Sequence, residues 1–545
     1  MGRPKKSEQT TISSVNKPIE QPESLEKKVS ISTDLFTALR EQCSYKYTEN
    51  GALALSTTFS NLLDLFGLIG AIRYRSEQDI IELFLQAYNE DRTLALKLLF
   101  YARDIRGAQG LGERKVFRVI FRYLAQHYTN DVNRLVQFIP VFGRWDDVLA
   151  VTVDTPLEEY TYNLIATQLD KDLHALHSNK TAEVSLLAKW LPSVNASSKQ
   201  TRALAARICK HLHTSQKQYR KILSELRAAL RVTERYMSAR EWDKIDYPSV
   251  PSRAALIYRA AFERNDEDRY SAYLTALAEG KTKINASTLY PYDIVNTLLT
   301  RWDYSGNYVT KDADLCRTAE ELWKALPNYL ADFDAADQRY LVMADTSGSM
   351  FTESRNPAIA TSVGLAIYFA ERTTGYFANH FLTFTSAPRL VEIPANYSLA
   401  AKLRTVLKNE YVGYSTNLDG AFKAVLDAAV KHHLPQSELP TSILVISDME
   451  IDIAVNDYDE STPNFSFTER WADKFAAAGY QMPNIVYWNV EARHNTFHAT
   501  KDDNVRFVSG KSAATFTTLC KTNGMTAIET MLTALLDPRY EQIHI

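Results

Sequence analysis

Apolar positions divide this chain into two parts with different periods. Residues 47–63 read as an irregular entry, and from there to about residue 339 apolar positions recur mostly every three or four residues, the spacing of amphipathic helices. Ile80, Ile81, Phe84 and Ala87 form one stripe behind Ser76, a side chain suited to cap a helix N-terminus. Leu94, Leu98 and Tyr101 make the next stripe over 93–102, and 115–127 is helical again. Between them, 103–114 is glycine-rich; no strand precedes it and no Gly-Lys-Ser/Thr follows, so it reads as a helix-to-helix turn and not a phosphate loop. Gly143-Arg-Trp-Asp-Asp147 is a second turn into a helix, with Asp146 and Asp147 placed to complement the helix dipole. Successive antiparallel helix pairs predict a solenoid-like array, although the sequence shows no clean period.

From residue 340 the pattern changes. Apolar runs at 340–344, 443–447, 485–490 and 505–508 predict buried strands, while 380–385 and 389–393 alternate like a paired couple. Helical patterns at 356–372, 418–432, 468–478, 513–521 and 527–536 separate them. Strands alternating with helices predict an α/β fold with a mostly parallel, doubly wound sheet. Residues 1–30 are rich in Lys, Ser, Gln, Glu and Pro and predict a flexible tail. The expected division is a tail at 1–30, an all-α helical repeat domain at 31–335 and the α/β domain at 336–545.

Composition sharpens this only locally. The whole chain carries a net charge of −3 and gives no nucleic-acid signal. Residues 199–240 differ. Lys199, Arg202, Arg207, Lys210, Lys217, Arg220, Lys221, Arg227, Arg231, Arg235 and Arg240 face only Glu225 and Glu234, a balance of +9. With Lys189 just upstream, a basic face on a helical scaffold is the footprint of a phosphate backbone. Tyr219, Tyr236 and Trp242 are interleaved aromatics suited to stack on bases. The alternative is a solvated face covering an acidic neighbour. Cys43, Cys209, Cys316 and Cys520 are scattered without a Cys-x-x-Cys pair, which suits a reducing compartment and argues against a zinc site. No apolar run reaches the length of a membrane span, and the N-terminus has no apolar signal core, so a cytoplasmic protein without a membrane partner is expected.

The candidate chemistry lies at the ends of the apolar strands. Tyr340 starts a run that ends in Asp345-Thr-Ser-Gly-Ser349. Thr416 precedes the helical pattern at 418–432, and 441–447 runs into Asp448. Two carboxylates and three hydroxyls make an oxygen-only set, which suits Mg²⁺ or another hard divalent cation. Covalent catalysis is not expected. Ser347 stands where phosphatases of the haloacid dehalogenase type need a second Asp, and Asp-Thr-Ser-Gly-Ser is no nucleophile elbow. His432, His433, His494 and His498 lack His-Glu-x-x-His spacing.

Asp345-x-Ser347-x-Ser349, Thr416 and Asp448 together resemble the metal-ion-dependent adhesion site of von Willebrand factor type A domains. The resemblance implies direct metal contacts from Ser347, Ser349 and Thr416, with Asp345 and Asp448 touching the ion or holding its waters. It also implies one position left for a water or a partner's carboxylate. Ser185-Leu-Leu-Ala-Lys-Trp-Leu-Pro-Ser193, Lys217-Gln-Tyr-Arg220, Val250-Pro-Ser252, Lys283-Ile-Asn285 and Tyr290-Pro-Tyr-Asp-Ile-Val295 resemble the TROVE module of Ro ribonucleoproteins. Thr48-Glu-Asn-Gly51, Tyr101-Ala-Arg-Asp-Ile-Arg-Gly107, Gly143-Arg-Trp-Asp-Asp147, Trp488-Asn489 and Val508-Ser-Gly510 fit a branch of Ro-like proteins. That likeness implies a ring or horseshoe of HEAT-like helical repeats closed by the type A domain. It also implies small structured RNA and single-stranded RNA ends as partners. The competing expectation is a protein-interaction module whose metal grips an acidic residue of a partner.

Overall fold

A run of residues buried on both faces makes a central strand, and Tyr340–Asp345 (β1) is buried at every position. It is flanked by His380–Phe384 (β2) and Leu390–Glu392 (β3) on one side. Ser442–Ser447 (β4), Asn484–Asn489 (β5) and Val505–Ser509 (β6) lie on the other. The sheet order is β3-β2-β1-β4-β5-β6, parallel throughout except for the antiparallel edge strand β3. The chain first builds outward from β1 through β2 and β3, then returns to lay β4 on the opposite side. The carboxyl ends of β1 and β4 therefore flank the point where the winding reverses, the place where open α/β sheets form a ligand crevice.

This computed structural model describes residues 44–49, 53–107, 110–286, 289–300, 308–331, 339–351, 358–408, 411, 417–451, 467–501, 505–512 and 515–545. The tail expected at 1–30, the ligand Thr416 and Cys43 lie outside the described residues.

Strand alternation sorts the core into two layers. Leu341, Met343, Ile443, Val445, Ile485, Tyr487, Val505 and Phe507 point to one face, which also packs Leu63, Phe66, Leu96, Phe100 and Phe121 of the helical region. Tyr340, Val342, Ala344, Leu444, Ile446, Val486, Trp488 and Val508 point to the other, against helices Pro291–Leu298, Ala313–Lys324 and Ala358–Ala370. The apolar core thus runs without a break from the N-terminal helices into the sheet, and residues 46–545 form one compact unit.

The helical region follows its expected stripes. Ser76 caps Glu77–Glu90 by accepting from the Asp79 amide at 3.1 Å, and Ile80, Phe84 and Ala87 are buried, with Ile81 at the margin. Helices Arg92–Arg103, Lys115–His127, Trp145–Thr152, Glu158–His177, Lys199–His211 and Gln216–Ala229 follow in turn. The glycine-rich link is a turn between helices, as expected, and it also anchors the far end of the chain. Asp104 accepts from the Arg106 and Gly107 amides at 2.8 Å, and from Arg539 at 2.5 Å and Tyr540 at 3.1 Å.

Asp146 and Asp147 lie in the first turn of Trp145–Thr152, as expected, and Asp147 does more there than complement the helix dipole. Its carboxylate is fully buried and accepts from Arg103 at 2.6 Å and Arg118 at 2.6 Å, so it is the centre of an ion-pair network. It also accepts from the Arg144 amide at 2.9 Å, closing the first turn of Trp145–Thr152.

Candidate functional site

Asp345 ends β1 and is 1% exposed. Its Oδ1 accepts from the Ser347 amide at 2.8 Å, which folds the chain into the tight turn after the strand. Its Oδ2 accepts from the Ser447 hydroxyl at 2.5 Å, which ties the end of β1 to the end of β4. Ser347 Oγ and Ser349 Oγ share a hydrogen bond at 3.0 Å. Thr346 turns away and donates to the Tyr411 carbonyl at 2.6 Å.

Asp448 follows β4 and is 3% exposed. One oxygen accepts from the Glu450 amide at 3.2 Å and the other from Arg493 at 2.9 Å. Between them Met449 takes φ +67°, in the left-handed region, with its amide donating to Ser447 Oγ at 3.0 Å. A non-glycine residue held there by surrounding bonds is typical of a constrained functional turn.

Burial and mutual repulsion govern the two acids. Burial, with the Asp448 charge added, pushes the Asp345 carboxyl up to about 7. Burial likewise raises Asp448, while Arg493 and the Ser349 hydroxyl pull it back down. Two buried carboxylates near one another are costly unless a cation neutralises them. Arg493 meets only part of that need, since of the two acids it pairs with Asp448 and its other nitrogen is taken by Glu49. The structure brings together Asp345, Ser347, Ser349 and Asp448, four of the five sequence-predicted metal ligands.

Sequence reasoning missed the surrounding acids and bases. Glu450 is 2% exposed and accepts from Thr496 at 3.0 Å and from the Glu49 amide at 2.8 Å. Arg493 also donates to Glu49 at 2.8 Å, and Thr48 donates to the Ile451 carbonyl at 2.6 Å. His498, kept below its ordinary range by burial, meets the Met449 carbonyl at 3.0 Å. Among the described residues no group of three or more His, Cys, Asp or Glu side chains is arranged to hold a metal. The donor set at β1 and β4 fits a hard cation through paired carboxylates and hydroxyls instead.

The basic residues fall into three groups. Lys199, Lys210, Lys217, Arg220 and Arg231 are exposed and make no ion pair among the described residues; Arg240 is exposed in the left-handed region at φ +58°. Lys221 and Arg235 are exposed too, with Lys221 3.8 Å from Glu225 and Arg235 over the Tyr236 ring. Others are already occupied. Arg207 pairs with Asp154 at 2.7 Å, Arg202 holds the Ala196 and Ser197 carbonyls, and Lys189 lies 3.6 Å from Glu234. Arg227 is structural: it donates to the Ala188 and Leu191 carbonyls and to Ser193, knitting Gln216–Ala229 to Leu187–Trp190. Of the aromatics, Tyr219 is fully buried with its hydroxyl on the Pro192 carbonyl at 3.1 Å, so it presents no face for stacking. Tyr236 and Trp242 are half-buried against a small separate cluster.

No described helix is long and apolar enough to cross a membrane. The domain of unknown function DUF2828 matches residues 48–139 and 159–333, and the domain of unknown function DUF7788 matches residues 340–537. The uncharacterized protein L728 of Acanthamoeba polyphaga mimivirus is 30% identical over 481 residues, covering 82% of this chain and 79% of that protein. The crystal structure of the Deinococcus radiodurans Ro (RSR) protein aligns over 88% of this chain and 99% of its own, with a TM-score of 0.41 and 15% identity. With both domain families spanning most of its length and this relative matched over about four fifths of each chain, the chain belongs to the L728 family, a DUF2828 domain followed by a DUF7788 domain.

Proposed function

We propose that this protein is a non-catalytic RNA-binding scaffold, with a divalent cation held in a type A-like site at the carboxyl ends of β1 and β4. The observation that carries the RNA reading is the exposed basic face of helices Lys199–His211 and Gln216–Ala229, where Lys199, Lys210, Lys217 and Arg220 make no ion pair among the described residues, with Lys221 and Arg231 beside them. Exposed cations on helices are suited to a polyanion's phosphates. The TROVE-like sequence motifs favour small structured RNA or single-stranded ends. Binding of a short single-stranded RNA that weakens steeply with salt tests this; equal binding at low and high salt would overturn it.

Asp345, Ser347, Ser349 and Asp448 would hold the cation, with Thr416 completing the set. When bound, Mg²⁺ would neutralise the two buried carboxylates and offer an electrophilic position to an oxygen ligand. The residues themselves position that ligand set: Ser447 and the Ser347 amide fix Asp345, while Arg493 and the Glu450 amide fix Asp448. The second reading, a metal-bridged contact with an acidic residue of a protein partner, is favoured by this same oxygen donor set. Chelator abolishes that contact and leaves RNA binding by the basic face intact.

A further inference from the structure

Arg114, Arg118 and Arg122 recur every fourth residue at the start of helix Lys115–His127 and so rise along one face. That face meets helix Trp145–Thr152. Arg118 reaches Asp146 at 2.7 Å and Asp147 at 2.6 Å. Arg144 donates to Asp146 at 2.8 Å and lies over the Trp190 ring, 4.2 Å from its centre. Arg103 reaches Asp147 from below at 2.6 Å. Arg122 is spent on the Ala150 and Val153 carbonyls.

The charges do not balance. Arg103, Arg114, Arg118 and Arg144 gather around Asp146 and Asp147, four cations against two anions. The next acid along the chain, Glu113, is buried and paired with Arg73. Arg114 is exposed and makes no ion pair among the described residues. Partial burial and the repulsion of Arg118 and Arg144 hold its guanidinium below the ordinary range, so an added anion there relieves a standing electrostatic cost. Arg114 offers the guanidinium fork for a phosphate group's oxygens, while Arg118 and Arg144, held by Asp146, Asp147 and the Trp190 ring, add positive charge beside it.

We propose that Arg114, Arg118 and Arg144 form a phosphate-binding corner, separate from the basic segment at 199–240. The backbone phosphate of RNA is the source that its position favours. That choice of source rests on the RNA reading above. The helix that carries the corner is linked to the basic segment through Arg122, and Lys189, just upstream of that segment, stands beside the corner. Asp154, next to the Val153 held by Arg122, accepts from Arg207, and Lys189 lies beside the Trp190 ring that carries Arg144.

The test compares the full chain with Arg114→Gln, using a fluorescein-labelled oligouridylate and, separately, inorganic pyrophosphate by calorimetry. Arg114 makes no ion pair among the described residues and is repelled by Arg118 and Arg144, so the variant is expected to unfold no lower than the wild type. The proposal expects pyrophosphate binding to be lost in Arg114→Gln. It also expects the slope of log affinity against log salt for oligouridylate to fall by about 0.7, one phosphate contact to a single strand. Pyrophosphate bound through Arg114 without oligouridylate binding by either protein supports the corner, names free phosphate as the source and sinks the RNA reading. Oligouridylate bound alike by both proteins, with no pyrophosphate binding, overturns the corner and leaves the RNA reading standing. Binding of neither probe by wild type overturns both.

Discussion

The guanidinium of Arg493 donates to Asp448 at 2.9 Å, and so supplies a positive charge beside the paired carboxylates of the β1 and β4 ends. Its other nitrogen holds Glu49 at 2.8 Å, which ties the start of the helical region to the site. Removing one partner of a buried pair leaves the other charge uncompensated. Arg493→Gln is therefore expected to destabilise the protein by about 1–3 kcal/mol, less than a fully buried pair because Arg493 is partly exposed. Millimolar Mg²⁺ should restore most of that loss, because the cation supplies the missing charge. Chemical denaturation of both proteins with and without Mg²⁺ checks this; an equal loss in both conditions would mean that Arg493 only packs.

The raised Asp345 carboxyl carries a pH signature. Its folded-state value, about 7, lies above the ordinary carboxylate value, so the folded protein binds the extra proton between those limits. Without metal, stability contributed at this group is greatest at low pH and falls as pH rises towards 7. Asp345→Asn removes the titration, and is expected to stabilise the metal-free protein at pH 7.5 while abolishing any rise in Tm on adding Mg²⁺. Thermal unfolding from pH 5 to 8 decides it. A cation-induced rise in Tm that persists in Asp345→Asn would remove the site from β1.

The strands were legible because both sheet faces are covered, which forces near-continuous apolar runs at 340–345, 442–447 and 484–489. The carboxylates at their ends were legible for the same reason: a charge closing such a run marks the strand's end. Long-range partners were not legible. Nothing near Asp147 in sequence announces Arg103 across 44 residues, and nothing near Asp104 announces Arg539 across 435. Tyr219 looked like an exposed aromatic among basic residues, but helical phase turns it inward beside Leu223 and Leu226. Arg227 is drawn off the basic face by carbonyls of a turn 36 to 39 residues earlier.

That distinction separates two kinds of arginine experimentally. Lys217→Gln with Arg220→Gln removes exposed cations only. The pair is expected to leave Tm unchanged and to lower the salt slope of RNA binding by about 1.4, two contacts to a single strand. Arg227→Gln is expected to lower stability by about 1–3 kcal/mol, because it frees three buried or half-buried acceptors. The reverse assignment of effects would mean that the face is misplaced.

The seam between the helical region and the sheet passes through Gly70. A Cβ there would meet the Ser509 carbonyl carbon and oxygen at 2.6 Å and the Gly510 nitrogen at 2.7 Å, all backbone atoms that cannot swing aside. Its amide donates to Ser509 Oγ at 2.9 Å. Gly70→Ala is expected to cost roughly 1–3 kcal/mol and to loosen the seam. Hydrogen exchange should then quicken at 66–71 and 505–510 together; a change confined to 66–71 would show that the two regions are not coupled there.

The most direct test of the RNA-binding scaffold is recovery of nucleic acid from the native protein, purified in parallel at low and high salt. A discrete RNA population that co-purifies at low salt and is released at high salt is the expected result. No RNA at either salt, with no binding of short single strands to the purified protein, would contradict the scaffold. The oxygen-lined site of Asp345, Ser347, Ser349 and Asp448 would then be left to a protein partner.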